Sequence, residues 1–465
     1  LTVTEARAKI VRDLEAAGLI VRTESINHRT PICSRSGTPI EIIPMKEYYL
    51  KQLDSLGKLK QLARKIIFHP DAHRQVLLDW IGSITIDWPI SRRRVYATEI
   101  PVWYCRNCGR PFIPPAGAYY QPWKDAPPNG VCAGCGFTEF EGDARTFDTW
   151  MDSSISALKI SGYKRDQKFF RVAYPTTIRP QGKDIVRTWL HYSILRCHQL
   201  TGRAPFTHAW IGGLGMDEQG QAMHKSKGNV VDPEPILQKY GGDAFRFWNA
   251  SEATHGSDFR CSEARIAGAH KFLTKLWNIS RFISSFPQAK NAKLLPSDKW
   301  ILAELSAIAE HCNRGYREFN FFIPATEIRD FVWETFASHY VEMVKPRAYG
   351  QGFSNAEQRA AWYTLHTVLK NVLLLLAPVT PFMVDHIWKQ LYSKKSIHLQ
   401  KLPRIVWSKA PRRYTDRLVA FNREVWKVKE ERNLALRDSL EMQVPRALAP
   451  FREDLVRMHS LITKP

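Results

Sequence analysis

The spacing of apolar positions divides the chain into stretches with different predicted structure. From about 146 to 260, short apolar runs alternate with segments whose apolar positions recur at helical spacing. A strand-helix-strand-helix order of this kind is typical of a parallel sheet flanked by helices. From 262 to 390 the strand signals nearly vanish and helical spacing continues, which predicts a helix bundle.

The stretches outside this pattern are shorter. Residues 1 to 44 begin with a helical segment and continue in short alternating runs that indicate strands and turns. Residues 45 to 82 show helical spacing with a break near His69-Pro70. A basic, proline-rich connector at about 401 to 413 precedes a last helical segment. At 465 residues the chain is too long for one ordinary core, so we expect two to four domains.

Composition adds a charge signal. Lys and Arg number 67 against 45 Asp and Glu, which gives a formal net charge of +22. Such a surplus raises the affinity for polyanions through counterion release. A basic proteome or simple solubility would give the same surplus, but nucleic-acid contact is the favoured interpretation.

The chain offers no predicted membrane segment. The longest strongly apolar run, Val368 to Ala377, is interrupted by Lys370 and Asn371. A bilayer requires about 20 apolar residues, so this run is too short to span one. No basic-then-apolar signal segment opens the chain, and we therefore expect a cytoplasmic protein without a membrane partner.

Four of the eight cysteines form two knuckles, Cys105-x2-Cys108 and Cys132-x2-Cys135. Knuckles at this spacing direct four thiolates into one tetrahedral site, which Zn²⁺ favours. With no further ligand evident, the zinc should be structural. Four buried free cysteines are the alternative, which the spacing disfavours. The other four cysteines are scattered, which suits a reducing compartment rather than a disulfide framework.

A basic loop, Gly220 to Asn229, contains Lys225, Ser226 and Lys227. A mobile loop of this composition can close over a polyphosphate and neutralise charge that develops on a leaving group. Taken alone, the segment is slightly better explained as a lysine-rich surface loop.

A glycine-aspartate turn, residues 182 to 185, lies between a predicted strand and a predicted helix. Ligands of parallel sheets bind at the carboxyl ends of strands, and a carboxylate there accepts hydrogen bonds from ribose hydroxyls. A helix cap formed by Asp184 is an equally good explanation. Trp150 and Trp189 flank the turn and with Ile185 could form a small apolar pocket. Core packing is the commoner role of tryptophan.

These segments occur together, in this order, in one known family. The chain resembles the archaeal-type valyl-tRNA synthetases, which are class I aminoacyl-tRNA synthetases. The resemblance rests on DWPISRRRVYATEIPVWYC (87–105), DTWMDSS (148–154), YPTTIRPQGKDIVRTW (174–189), AMHKS (222–226) and KLWNISRF (275–282). It implies an α/β Rossmann-type catalytic domain with a zinc-knuckle insertion, followed by an all-α anticodon-binding helix bundle.

The resemblance also implies domain boundaries. They are the tail of an editing insertion at 1–44, the catalytic domain at 45–261 with the zinc insertion at about 100–145, the anticodon-binding domain at 262–400 and a C-terminal helical extension at 401–465. The family's His-x-Gly-His element, which holds the phosphates of ATP, does not occur in the sequence. We expect it, with most of the editing domain, in an N-terminal segment supplied in cis or in trans.

The function implied by the resemblance is ATP-dependent activation of valine, with Mg²⁺, and transfer of valine to tRNA(Val). The family's functional positions carry over to a valine pocket of Trp150, Ile185 and Trp189. The ATP and adenylate contacts carry over to Gly182, Asp184, Gly213, Met223, Lys225 and Lys227. Lys225 and Ser226 take the catalytic positions of the mobile loop, and Cys105, Cys108, Cys132 and Cys135 take the zinc positions.

Two departures and two alternatives accompany this interpretation. The loop's first lysine is Ala222 and its first serine is His224, which leaves Lys225 with less help. The chain could instead be a non-catalytic tRNA-binding module or an isoleucyl-tRNA synthetase, although DTWMDSS disfavours the latter. We expect the chain alone to be inactive without the N-terminal part.

Overall fold

A computed structural model describes residues 2–33, 36–40, 42–94, 97–128 and 130–463, with the side chain of Ser226 left out. The chain forms two compact units, Leu1–Glu47 and Tyr48–Pro465. In the part of the chain that the structure describes, no helix has the length and apolar character needed to cross a membrane.

Among its described residues, the first unit contains one helix, α1 (Val3–Ala16), which buries none of its residues. Thr2 caps it, because the Thr2 hydroxyl accepts a hydrogen bond from the Glu5 backbone N–H and the Glu5 carboxylate accepts one from the Thr2 N–H. Of the predicted strands that follow, the described residues form an isolated bridge between Ile32 and Pro39.

The α/β part of the second unit alternates short strands and helices. Its elements are β1 (Tyr49–Leu50), α2 (Leu56–Lys65), β2 (Ile67–His69), α3 (Ala72–Ser83), β3 (Trp88–Pro89), β4 (Ser91–Arg92), β5 (Trp103–Cys105), β6 (Pro111–Phe112), β7 (Phe140–Gly142), β8 (Thr146–Phe147), α4 (Thr149–Ser153), α5 (Ser156–Ile160), α6 (Gln167–Ala173), β9 (Thr176–Gly182), α7 (His191–Thr201), β10 (Phe206–Gly212), β11 (Gly215–Met216), α8 (Pro233–Tyr240), α9 (Gly242–Glu252) and β12 (Phe259–Arg260). A π-helical turn, Val186–Leu190, leads into α7.

Three parallel strands form the central sheet, in the order β2-β10-β9. The pairing of β9 with β10 runs in register from Thr176 beside Phe206 to Gly182 beside Gly212. Both strands therefore end at the same edge of the sheet, as the predicted strand-helix alternation requires. The predicted break near His69-Pro70 falls between α2 and α3, as the structure confirms. The helical prediction was wrong at β2, because a three-residue strand between two helices leaves too few positions for a period to show.

The residues predicted to form the zinc insertion fold as a small antiparallel sheet in the order β6-β5-β7. Trp103 on β5 is buried and its indole N–H donates to the Asp125 carbonyl at 2.7 Å. The strands β4 and β8, which precede and follow this module in the sequence, pair with each other in antiparallel fashion.

The rest of the second unit is mainly helical, as predicted, with one short strand pair, β13-β14, that the sequence did not predict. Its elements are α10 (Glu263–Ser284), α11 (Pro296–Arg317), α12 (Phe322–Asp330), the π-helical segment Phe331–Val341, α13 (Glu342–Ala348), α14 (Asn355–Leu376), α15 (Pro381–Leu391), α16 (Thr415–Glu431), β13 (Leu440–Glu441), α17 (Arg452–His459) and β14 (Leu461–Ile462). One hydrophobic core joins Trp300, Val372, Phe421 and Leu455, so α16 and α17 pack on the same interior as the preceding helices.

A buried lysine holds the last segment to α16. The Lys429 ammonium has no exposed area and donates to the carbonyls of Leu436, Asp438 and His459 at 2.6, 2.7 and 2.8 Å. Three carbonyl oxygens match the three donors of an ammonium group, and this replaces the water that burial removes. The arrangement fixes the path of the chain between α16 and α17.

Two buried histidines continue this polar network. Asn422 hydrogen-bonds His459 at 2.8 Å and His339 at 3.0 Å, and all three side chains are almost completely buried. Burial is the main reason that the pKa of both His339 and His459 is lowered to about 4, and a nearby cation contributes in each case, Arg423 for His339 and Lys429 for His459. Both imidazoles are therefore neutral in the folded protein at neutral pH.

This network predicts acid lability. Between pH 6.5 and 4 the unfolded chain binds protons that the folded chain excludes, so stability is full above pH 6.5 and decreases as the pH falls. At pH 5 each histidine should cost about 2 kcal/mol. Urea unfolding of wild type and His459→Gln at pH 7 and pH 5 measures this cost. The variant should lose less stability between the two pH values, and an equal loss would contradict the assignment.

Candidate active site and metal centre

The carboxyl edge of the central sheet carries the predicted nucleotide turn. After β9, a short 3₁₀ turn, Lys183–Ile185, leaves Asp184 exposed at this edge. A Cβ on Gly182 would lie 2.4 Å from the Asp184 Oδ1, so glycine is needed for the carboxylate to occupy its position. Asp184 is exposed, and among the described residues no capping hydrogen bond is formed at the start of this turn or of the π-helical turn that follows.

The turn that follows β10 approaches a neighbouring loop closely. A Cβ on Gly213 would lie 1.8 Å from the Ser257 carbonyl oxygen, so no other residue fits there without a backbone shift. Asp258 then joins the two turns: its carboxylate accepts from the Lys183 ammonium at 2.8 Å and from the Leu214 N–H at 2.8 Å. The hydrogen bond from Lys183 is the main reason that the pKa of Asp258 is lowered.

The predicted valine-pocket residues surround the same turn. The Trp189 indole N–H donates to the Ser153 carbonyl at 2.9 Å, which ties the π-helical turn to α4. Trp150 lies on α4, and Ile185 lies one helical turn before Trp189. All three pocket side chains are half-buried, which leaves part of their apolar surface available to a small ligand.

Asp148 organises the wall that carries Trp150, and the sequence interpretation gave it no role. Its carboxylate accepts from the Trp150 N–H at 3.1 Å and from the Trp88 indole N–H at 3.2 Å, and it pairs with the Arg92 guanidinium. Trp88 in turn stacks on Tyr192 with ring centroids 3.7 Å apart. The only sequence signal was the position of Asp148 before a short helix, which indicates a cap.

Asp217 holds the basic loop at both ends. Its carboxylate accepts from the Gln221 N–H at 2.7 Å and from the Asn229 side-chain amide at 2.8 Å. The Asn229 amide oxygen accepts from the His224 N–H at 2.8 Å. The hydrogen bond from Gln221 is the main reason that the pKa of Asp217 is lowered. The base of the loop is therefore fixed while its tip is not.

The loop tip presents the predicted lysines to solvent. Lys225 and Lys227 are exposed on a 3₁₀ turn, and neither forms an ion pair with a described residue. Met223 is half-buried and accepts from the Val231 N–H, so its side chain anchors the loop. Ser226 was predicted to be catalytic, but its side chain lies outside what is described. No hydrogen bond joins the described loop residues to the turn at 182–185.

The four knuckle cysteines converge on one point. Their sulfur atoms all lie within 4.8 Å of one another, with 3.6 Å between Cys105 and Cys135 and between Cys108 and Cys132. A tetrahedron with zinc–sulfur bonds of about 2.3 Å has sulfur–sulfur edges of about 3.8 Å, which is close to the two 3.6 Å distances. A backbone hydrogen bond from Phe137 lowers the pKa of Cys135 to about 6. The cluster therefore suits a tetrahedral thiolate-bound metal.

Two family models match this chain. The model described as "tRNA synthetases class I (I, L, M and V)" covers residues 40–262, and the "Anticodon-binding domain of tRNA ligase" covers residues 298–444. The first includes the sheet edge, the cysteine cluster and the basic loop. The second includes most of the helix bundle.

Curated relatives agree with these matches. Valine–tRNA ligases from Aeropyrum pernix, Pyrobaculum aerophilum and Nanoarchaeum equitans are 44%, 45% and 41% identical over 99% of this chain. The chain covers 57%, 59% and 60% of these proteins, so it spans a little over half the length of its curated relatives.

Solved structures show the fold. Methionyl-tRNA synthetase of Mycobacterium tuberculosis with methionyl-adenylate gives a TM-score of 0.60 at 19% identity, over 78% of this chain and 66% of that one. A leucyl-tRNA synthetase of Agrobacterium radiobacter gives 0.53 at 20% identity, over 75% and 46%. The resemblance and the fold class expected from the sequence are thus confirmed: the chain carries the catalytic domain of class I tRNA synthetases and an anticodon-binding domain, and it is similar over almost its whole length to valine–tRNA ligases.

Proposed function

We propose that this chain forms part of a valine–tRNA ligase, which activates valine with ATP to valyl-adenylate and transfers it to tRNA(Val). The observation that carries the proposal is the glycine-aspartate turn at the carboxyl edge of the sheet, within a chain 44% identical to a valine–tRNA ligase over almost its whole length. We place the activity in the cytoplasm, where translation takes place.

In the first reaction step, the formation of valyl-adenylate, each group of site residues has its own role. Asp184, beside Gly182, accepts hydrogen bonds from the ribose, and the close turn at Gly213 lets the nucleotide approach the backbone. Trp150, Ile185 and Trp189 enclose the valine side chain. Mg²⁺ bound with ATP neutralises phosphate charge. Lys225, assisted by Lys227, meets the charge on the departing pyrophosphate when the loop closes, and Met223 anchors that loop.

The outer edge of β9 can pair with a further strand. Thr176 donates to the Pro205 carbonyl, and alternate residues of a parallel strand face the same neighbour. Arg179 and Gln181 therefore direct their backbone groups to the other edge, where no strand of the described residues pairs with β9. An unpaired strand edge accepts a further strand. We assign this edge to the N-terminal segment of the enzyme, joined in cis or supplied in trans.

A basic groove in the helix bundle suits tRNA. It has a volume of about 700 Å³ and lies between α10, the segment 331–341, α13 and α16. Lys271, Lys275 and Lys345 line it together with Glu342, which leaves a positive balance, and the half-buried Trp426 lies at its side. Lysines bind phosphates and aromatic rings stack on unpaired bases, so we assign the groove to tRNA.

The tRNA assignment predicts a charge effect. Lys271→Glu should weaken binding of tRNA(Val) to this chain and reduce the slope of affinity against salt by about one phosphate contact or more. Lys58→Glu, on the exposed face of α2, is the control for net charge. Filter binding at several salt concentrations measures both quantities. Equal binding by the two variants would remove the groove from the proposal.

The cysteine cluster predicts a structural zinc. Purified protein should contain about one zinc per chain, by the four-ligand rule. Cys105→Ser should lose the metal and lower the melting temperature, because metal binding at such sites stabilises the local fold. Cys33→Ser, which keeps all four knuckle cysteines, is the control. Zinc near zero in wild type, with Cys105→Ser as stable as the control, would end this assignment.

The loop assignment predicts a kinetic effect in the whole enzyme. Lys225→Ala should slow valine-dependent ATP–pyrophosphate exchange about a hundredfold, because Lys225 acts on charge that appears in the transition state. The KM for valine should change little, since the valine pocket is elsewhere. Lys58→Ala is the control.

The same assay separates an enzyme from a tRNA-binding module. The 465-residue chain alone should show no exchange until the N-terminal segment is added. If Lys225→Ala matches wild type, the lysine has no part in activation. If the chain alone is active, the requirement for a further segment is wrong.

A further inference from the structure

Arg179 on β9 is a buried cation beside the proposed valine pocket. It is 7% exposed, and its guanidinium carbon lies 3.9 Å from the ring centre of Trp189. Its two terminal nitrogens donate to the hydroxyls of Ser156 at 2.7 Å and Ser193 at 3.2 Å. Among the described residues, no carboxylate forms an ion pair with it.

A cation in this position is unusual, because burying a charge is unfavourable unless it is paired or strongly hydrogen-bonded. Burial lowers the pKa of Arg179 to about 10, so the group stays charged at neutral pH. The compensation comes from two hydroxyls and from the faces of two aromatic rings, because the guanidinium carbon also lies 5.3 Å from the ring centre of Phe206. The contact between Arg179 and the Trp189 indole therefore helps to hold both side chains in place.

Trp189 is fixed from three directions as a result. Arg179 covers one face of the indole, the indole N–H donates to the Ser153 carbonyl, and the Trp189 carbonyl accepts from the Ser193 hydroxyl at 2.6 Å. Ser193 is shared, since it also accepts from Arg179. The Trp189 indole is half-buried, and the part that these contacts do not cover is exposed to solvent.

We propose that Arg179 is the positioning residue of the amino-acid pocket: it holds the Trp189 indole from behind, so that the opposite face forms a rigid wall against the substrate side chain. Arg179 itself does not touch the substrate. The proposal rests on the valine-activating function proposed above. A rigid wall matters there because isoleucine differs from valine by a single methylene, which a yielding wall accommodates.

The position of the ring can be tested on this chain without activity. Incorporation of 5-fluorotryptophan gives one ¹⁹F resonance for each of the 15 tryptophans, and Trp189→Phe identifies the Trp189 signal. In Arg179→Leu the Trp189 signal should shift or broaden while the resonances of distant tryptophans stay in place. Arg179→Lys keeps the charge but not the planar fork, so it should restore the signal only in part.

A matched control is available at the other end of β9. Arg203 lies over the Tyr174 ring at 5.3 Å and donates to the Tyr174 carbonyl at 3.0 Å. Arg203→Leu therefore removes a comparable arginine–aromatic contact far along the strand and should leave the Trp189 signal unchanged. Should Arg179→Leu fail to fold, Ser156→Ala removes one of its two hydroxyl contacts and should move the signal less but in the same direction.

Kinetics of the whole enzyme then test the pocket. Arg179→Leu should raise the KM for valine about tenfold in ATP–pyrophosphate exchange, change kcat less, and reduce the preference for valine over isoleucine by a similar factor. A residue that serves only the core would lower the melting temperature without altering this preference. An inactive wild type would refute the proposed function, whereas the ¹⁹F signal would still decide whether Arg179 positions Trp189. An unchanged Trp189 signal in Arg179→Leu, or an unchanged preference in an active enzyme, would overturn the proposal.

Discussion

The parallel pairing of β9 with β10 is the constraint on which the candidate site depends. Because the two strands run in register to Gly182 and Gly212, the turns that follow them lie side by side at one edge. The Lys183–Asp258 ion pair and the hydrogen bond from Leu214 then hold those turns together. A shift of one residue in this pairing would move the turn after β9 away from the turn at Gly213 after β10.

Two parts of the candidate site differ in how firmly their side chains are held. The aromatic side chains are held by several contacts at once. Asp148, for example, accepts hydrogen bonds both from the Trp150 backbone N–H and from the Trp88 indole N–H. The basic loop is held at its base by Asp217 and by Met223, while Lys225 stays exposed. A site that selects a substrate by shape needs rigid walls, whereas a group that meets transient charge needs freedom to move.

The sequence was informative where a short spacing encodes the chemistry. The Cys-x2-Cys pairs predicted a cluster that the fold brings together, and the helical spacing after residue 262 predicted the bundle. It failed where partners are distant: Asp148 and Trp88 are 60 residues apart, and Lys183 and Asp258 are 75 apart. No local pattern predicts such contacts, because they depend on strand order and helix packing rather than on the spacing of apolar residues.

The contacts of the two buried cations are also formed by residues that no local sequence pattern connects, and they affect the geometry of the candidate site. Arg179 and Lys429 are both compensated by neutral oxygen atoms, hydroxyls in one case and carbonyls in the other. A carboxylate would attract a cation over a range of positions, but hydroxyls and carbonyls compensate it only at hydrogen-bond distance and in the right direction. Each cation therefore fixes geometry more strictly than an ion pair would. Lys429 fixes the path of the last segment, and Arg179 fixes one aromatic ring at the edge where the substrate is expected.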